Sequence, residues 1–194
     1  MQSLTNATPR IDAIEILKAD HQMVRKLFST YEKLCDADLH TAEKGVLVTQ
    51  LCSALTVHAQ IEEEIFYPAL REALDADDLL DEAEFEHAAG KDLVPQLESM
   101  SSYESLFDAT VAVLGEYINH HLDEEEGKMF DQAKDADLDI VTLGEELSER
   151  RDELRAQLDL DVSSDAEDDD DDPHSEFNRD DNTAPTSIGR SVTT

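Results

Sequence analysis

Two stretches decide the fold: His58-Ala-Gln-Ile-Glu62-Glu63-Glu64-Ile65-Phe66-Tyr67-Pro68 and, further on, His121-Leu-Asp-Glu-Glu125-Glu126-Gly-Lys-Met129-Phe130. In each, a histidine is followed four residues later by a glutamate. Four residues is about one helical turn, so each pair projects from a single helix face. That face is also the apolar one. Leu47, Leu51, Ala54, His58, Glu62, Ile65 and Ala69 recur at helical spacing, with His58 and Glu62 inside the stripe. Ionisable groups on an apolar stripe are destined for the interior, where each unpaired charge costs several kcal/mol. A bound cation removes that cost.

Working outward, three more helices follow the same pattern. The first is expected to start at Thr8 and Pro9, as N-cap and first helical residue, and to run to about Cys35. Its stripe is Ile14, Leu17, His21, Val24, Phe28 and Tyr31. The second begins after Thr41, with Pro68 as a candidate kink. The third, about Asp77 to Met100, carries Leu80, Ala83, His87, Val94 and Leu97, and Gly90 and Pro95 weaken it. Ser101 and Ser102 offer a break and a new N-cap. The fourth runs to about Gln132 through Leu106, Thr110, Val113, Leu114, Tyr117, His121, Glu125 and Met129. One histidine therefore sits on the buried stripe of each helix, and two of the four have a Glu one turn on.

A fifth amphipathic helix, about 142–158, is expected to open with a Thr142/Glu145 capping box and to bury Leu143, Leu147, Leu154 and Leu158. After about Leu160 the composition changes. Asp161 to Asp181 holds 11 acidic residues against one Arg, too little apolar surface to offset the entropy of ordering. The expected architecture is all-α. It is an up-down-up-down four-helix bundle over about 10–135 with an additional C-terminal helix, one domain over 1–160, and a disordered acidic tail over 161–194. That tail is read as a solubility segment, with docking of a basic protein partner as the other role.

The chain has 194 residues, 48 acidic and 15 basic, for a net charge of −33. Such a field repels nucleic acid and anionic lipid and attracts cations. It also suits solubility at high salt. There is no Trp, and aromatics make up 5% of residues, so the core must be built mainly from Leu, Ile, Val and Ala. Cys35 and Cys52 lie far apart without a CxxC, which reads as two reduced, buried thiols rather than a disulfide or zinc knuckle. Met1 to Arg10 lacks a signal-peptide pattern and no apolar run is long enough to span a membrane, so a cytoplasmic location is expected.

The two HxxxE stretches, with Asp20-His21 early and Glu86-His87 in the third helix, resemble the hemerythrin-like HHE cation-binding domain. The resemblance covers about residues 10 to 135, and the Leu143-Gly-Glu-Glu-Leu147 helix is similar to one that follows bacterial versions. It implies a non-haem di-iron centre with His21 and His58 on one iron and His87 and His121 on the other. Glu62 and Glu125 would bridge the pair together with an oxo or hydroxo group. Such a centre would bind or sense O2, NO or peroxide, with Zn or Mn as substitute metals. The chain departs from the oxygen-carrier pattern at Lys91, where a second third-helix His would stand, which leaves an open position on both metals. A reactive enzyme, or an iron donor for iron–sulfur cluster repair, is the alternative. No Cys-bearing N-terminal segment of the kind some repair members carry is present, and no RING-like cysteine set.

Other readings fit less well. A single tetrahedral zinc does not match two HxxxE pairs plus two further histidines. The ferritin-like design needs Glu-x-x-His on two helices, and only Glu84-Phe-Glu-His87 qualifies. A metal-free helical interaction protein would leave the buried charges unexplained. His120 projects about 100° from His121 and is set aside. Glu63, Glu64, Glu124 and Glu126 read as a solvated face, with help in iron entry as the minor alternative. Tyr67 and Tyr117 are core residues or hydrogen-bond donors to the centre. His40 and His174 carry no argument.

Overall fold

The computed structural model describes residues 11–37, 42–74 and 77–165, with side chains for all of these except 77 and 159–165. Thr8, Pro9, His40, His174 and the acidic segment after 165 lie outside them. The described residues form five helical rods and no strand. The first is Ala13–Asp36. The second runs through Ala42–Ile61, a π turn at Glu62–Phe66, and Tyr67–Ala73 without a break. The third is Asp77–Ser99. The fourth joins Phe107–Glu124, a π turn at Glu125–Met129, and Phe130–Asp135, and the fifth is Ile140–Asp165.

The apolar residues gather into two clusters, and their order along the chain gives the topology. The first helix passes from Ile14 and Leu17 in one cluster to Val24 and Phe28 in the other. The second returns from Val48 and Leu51 to Ile61 and Phe66. The third runs from Leu80 and Ala83 to Val94 and Leu97, and the fourth from Phe107 and Leu114 back to Met129 and Phe130. Successive rods therefore alternate in direction, the up-down-up-down bundle that short connections favour. His21, His58, His87 and His121 fall between the two clusters on their respective rods. The fifth helix lies against the first and second and adds Leu143, Leu147 and Leu154 to one cluster.

Several local expectations need correction. The first helix is capped by Asp12, whose carboxylate accepts the Glu15 N–H at 2.8 Å, four residues after the predicted cap at Thr8. The fifth is capped by Asp139, which takes both the N–H and the hydroxyl of Thr142. Thr142 is therefore inside the helix, and the rod is longer at both ends than 142–158. The break at Ser101 is real. The fourth helix, however, starts at Phe107, because Glu104 folds back to accept the Ser101 N–H and closes a turn.

The register of the fourth helix also differs in its first half. Phe107, Val111, Leu114 and Ile118 are buried, whereas Leu106, Val113 and Tyr117 are exposed. In the second rod Phe66 and Leu70 are fully buried, rather than Ile65 and Ala69. The π turn causes this: it inserts one extra residue per turn and advances the buried face by one position. Pro68 follows directly, at the start of the resumed α-helix, where proline is best tolerated. Neither Gly90 nor Pro95 interrupts the third helix.

Candidate metal centre

Each rod delivers its histidine to the same interior layer. His21, His58, His87, His121, Glu62 and Glu125 are all 5% exposed or less. Their ligand atoms form two groups. One atom each of His21, His58, Glu62 and Glu125 lie within 4.8 Å of one another, and so do atoms of Glu62, His87 and His121. Glu62 belongs to both. Its Oε2 is 3.3 Å from His58 Nε2 and 3.4 Å from His87 Nε2. Glu125 spans the other side, with Oε2 at 3.2 Å from His21 Nε2 and 3.6 Å from His121 Nε2.

Protein contacts alone do not satisfy this centre. Among the described residues, both oxygens of Glu62, Glu125 Oε2, His21 Nε2 and both nitrogens of His58 are buried without a hydrogen bond of acceptable geometry. Buried polar atoms are otherwise almost always paired. The Nε2 atoms of His87 and His121 are 3.0 Å apart. The donor set thus fits a pair of cations.

The charges agree. Burial holds His58 neutral, well below the ordinary imidazole range, with His21 as the next influence. Burial also lowers His121. For His21 and His87, burial opposes protonation, but nearby carboxylates outweigh it. Glu125 raises His21, and Glu62 with Glu63 pushes His87 up to about 9. Of the two central carboxylates, Glu62 is driven up by burial and by its neighbour Glu125. Burial opposes ionisation of Glu125 too, but His21 and the other imidazoles prevail and hold it low.

Around the centre lies a set of carboxylates that orient the imidazoles. Glu126 Oε1 is 2.9 Å from His21 Nδ1, Glu63 Oε1 is 2.9 Å from His87 Nδ1, and Glu86 Oε2 is 2.9 Å from His121 Nδ1. Such partners fix the tautomer so that Nε2 presents its lone pair inward. The pattern follows the internal repeat. Glu63 and Glu126 stand five residues after His58 and His121, and each reaches across to the histidine of another rod. Each is held by a cation four residues after that histidine: Arg25 donates to Glu126 at 2.6 Å, and Lys91 to Glu63. The His87 hydrogen bond and Lys91 together hold Glu63 down to about 2.

The repeat breaks once. Glu86 precedes His87 and holds His121, so the matching residue for His58 is Asp20, which precedes His21. Asp20 instead pairs with Arg151 at 3.2 Å and Arg155 at 3.5 Å from the fifth helix, and His58 Nδ1 has no hydrogen-bond partner among the described residues.

All six predicted site residues therefore converge. Glu63 and Glu126 are not a solvated face, as expected from sequence, but buttresses of the centre. Glu86 was missed, although its place before His87 parallels Asp20-His21. Tyr67 is buried and donates its hydroxyl to Glu125 Oε1 at 2.9 Å, whereas Tyr117 is half exposed and plays no part. His120 lies outside the core groups. A cavity of about 480 Å³ opens from the surface onto His58, His87 and His121, walled by Leu55, Val94 and Ile118 among others.

Fold and site together define an all-helical bundle with a candidate metal centre buried at mid-height. A family model described as the hemerythrin HHE cation binding domain matches residues 12–133, and the chain belongs to that family. It is similar to the crystal structure of a hemerythrin HHE cation binding domain-containing protein from Mycobacterium kansasii. That match has 25% identity and a TM-score of 0.67, and covers 79% of this chain and 93% of the other. No curated protein matches the chain.

Proposed function

We propose that the buried centre holds two iron ions and serves to capture or sense a small reactive molecule, O2, NO or peroxide. The observation that carries this reading is the sharing of Glu62 between two ligand groups, which suits two adjacent ions rather than one. Each group pairs two imidazoles with carboxylate and contains no thiolate, a donor set that suits iron better than a structural zinc. Iron held there would supply open positions for a small ligand and redox chemistry at each ion. The residues do the rest. Glu63, Glu86 and Glu126 fix three imidazole tautomers, Tyr67 holds one oxygen of Glu125, and the apolar clusters keep bulk water away. The cavity beside His87 and His121 gives a small molecule a way in.

Among the described residues no helix is long and apolar enough to cross a membrane. The thiols of Cys35 and Cys52 are both free, which supports a reducing, cytoplasmic setting. The acidic tail expected over 161–194 is read as solubilising, with a basic protein as its candidate partner.

Metal analysis of untagged protein tests the reading. We expect about two irons per chain and charge-transfer absorption in the near ultraviolet. His58→Ala and Glu125→Ala should lose metal and stability together, because the unfolded chain holds no preformed site. Full iron retention in either variant would overturn the ligand assignment. Stopped-flow spectra with O2, NO and peroxide then rank sensing against turnover.

A further inference from the structure

A second constellation of ligand atoms lies on the outer face of the bundle. One atom each of Glu86, His120 and Glu124 lie within 4.8 Å of one another. Glu86 comes from the third helix and the other two from the fourth, so packing of the helices, not proximity along the chain, brings them together. His120 is 64% exposed, while the side chains of Glu86 and Glu124 are 16% and 21% exposed. Glu86 uses its two oxygens differently: Oε2 faces His121 Nδ1 at 2.9 Å, and Oε1 faces His120 Nε2 at 3.6 Å.

We propose that Glu86, His120 and Glu124 form a third, exchangeable site for a divalent first-row cation, joined to the core centre through Glu86. Two carboxylates and an imidazole from two rigid helices match the donors that such ions prefer, and the strongly acidic chain concentrates cations at its surface. Lys128 already occupies part of this position, donating to Glu124 at 2.6 Å. A bound cation would displace that ammonium, which makes Lys128 the built-in competitor and keeps the site weaker than the core. The proposal stands whether or not the core carries iron.

Titration with Mn2+ followed by electron paramagnetic resonance tests it. The chain is first loaded at the core and then kept in about 0.5 M salt to suppress diffuse counterion binding. We expect one further Mn2+ per chain. His120→Ala should weaken it at least about tenfold, in line with the usual cost of disturbing a metal site, and Lys128→Ala should strengthen it. Both residues lie outside the core ligand set, so core metal should stay unchanged. Equal Mn2+ binding in all three proteins would mean only a diffuse acidic surface and would overturn the proposal. If the core takes up no tight metal but the His120-sensitive Mn2+ site is present, the core reading fails and this one holds.

Discussion

At the scale of single residues, Lys91 has the clearest new meaning. The resemblance places a histidine there in oxygen carriers, so the lysine reads from sequence as a missing ligand. In the folded chain it holds Glu63, which in turn holds His87, as Arg25 does for Glu126 and His21. Lys91→Met should therefore leave the fold intact but weaken retention of one metal about tenfold or more, read by competition with a chelator. Unchanged affinity would reduce Lys91 to a surface ion pair. Cys52 makes a pH-dependent case. Burial pushes its thiol up to about 12, above the usual value of about 8.5. A raised folded value means the neutral thiol stabilises the native state fully below the unfolded value. That contribution is lost as pH rises from there towards about 12. Thiol labelling of native protein should therefore be fast at the partly exposed Cys35 and stay slow at Cys52 even at mildly alkaline pH, until the chain unfolds.

At the scale of elements, the two π turns and the fifth helix matter most. Each π turn begins at a central carboxylate, Glu62 or Glu125. The wide turn lets adjacent glutamates serve different histidines, since Glu62 points to the middle while Glu63 reaches the third rod. Helical periodicity in the sequence reads such a segment as ordinary α-helix, which is why the buried face after Glu62 falls one residue later than its spacing implies. The fifth helix is fastened by Arg151 and Arg155 on Asp20 and by a close approach at Gly144. A Cβ there would sit 2.5 Å from the carbonyl oxygen of Ile11 and 2.8 Å from the Ala13 nitrogen. Backbone cannot yield as a flexible side chain can, so Gly144→Ala should cost about 1–3 kcal/mol. Thermal unfolding would show the loss, and a neutral result would mean the fifth helix packs loosely.

At the scale of the whole molecule, the polar layer between two apolar clusters would couple folding to any metal that the centre holds. If the core ions are held at about a thousand times their dissociation constant, their removal costs roughly 4 kcal/mol. For a chain of this length that amounts to about 10 °C in Tm. Chelation should lower Tm by that order and readdition of iron should restore it; an unchanged Tm would show that the layer is stable without cations. Much of this organisation was legible in advance. Four stripes, each with a histidine in the middle, gave the bundle and all six convergent residues, because helical burial is written along the chain at a spacing of three and four. Caps were less legible: Thr8, Ser101 and Thr142 were plausible, yet Asp12 and Asp139 won through carboxylates placed three residues before a free backbone N–H.

The sequence by itself determined that four helices each carry an apolar stripe with a histidine in its middle and that the interior is charged, since both follow from residue type and local spacing. The buried register of the fourth helix and of the chain after Glu62 did not follow from it. Only the tertiary structure decided how the histidines are held. Glu126 meets His21 across 105 residues of chain, and Glu63 meets His87 across 24. Neighbours of that kind are set by the packing of whole helices and by the extra residue of each π turn. No periodicity along one helix encodes them.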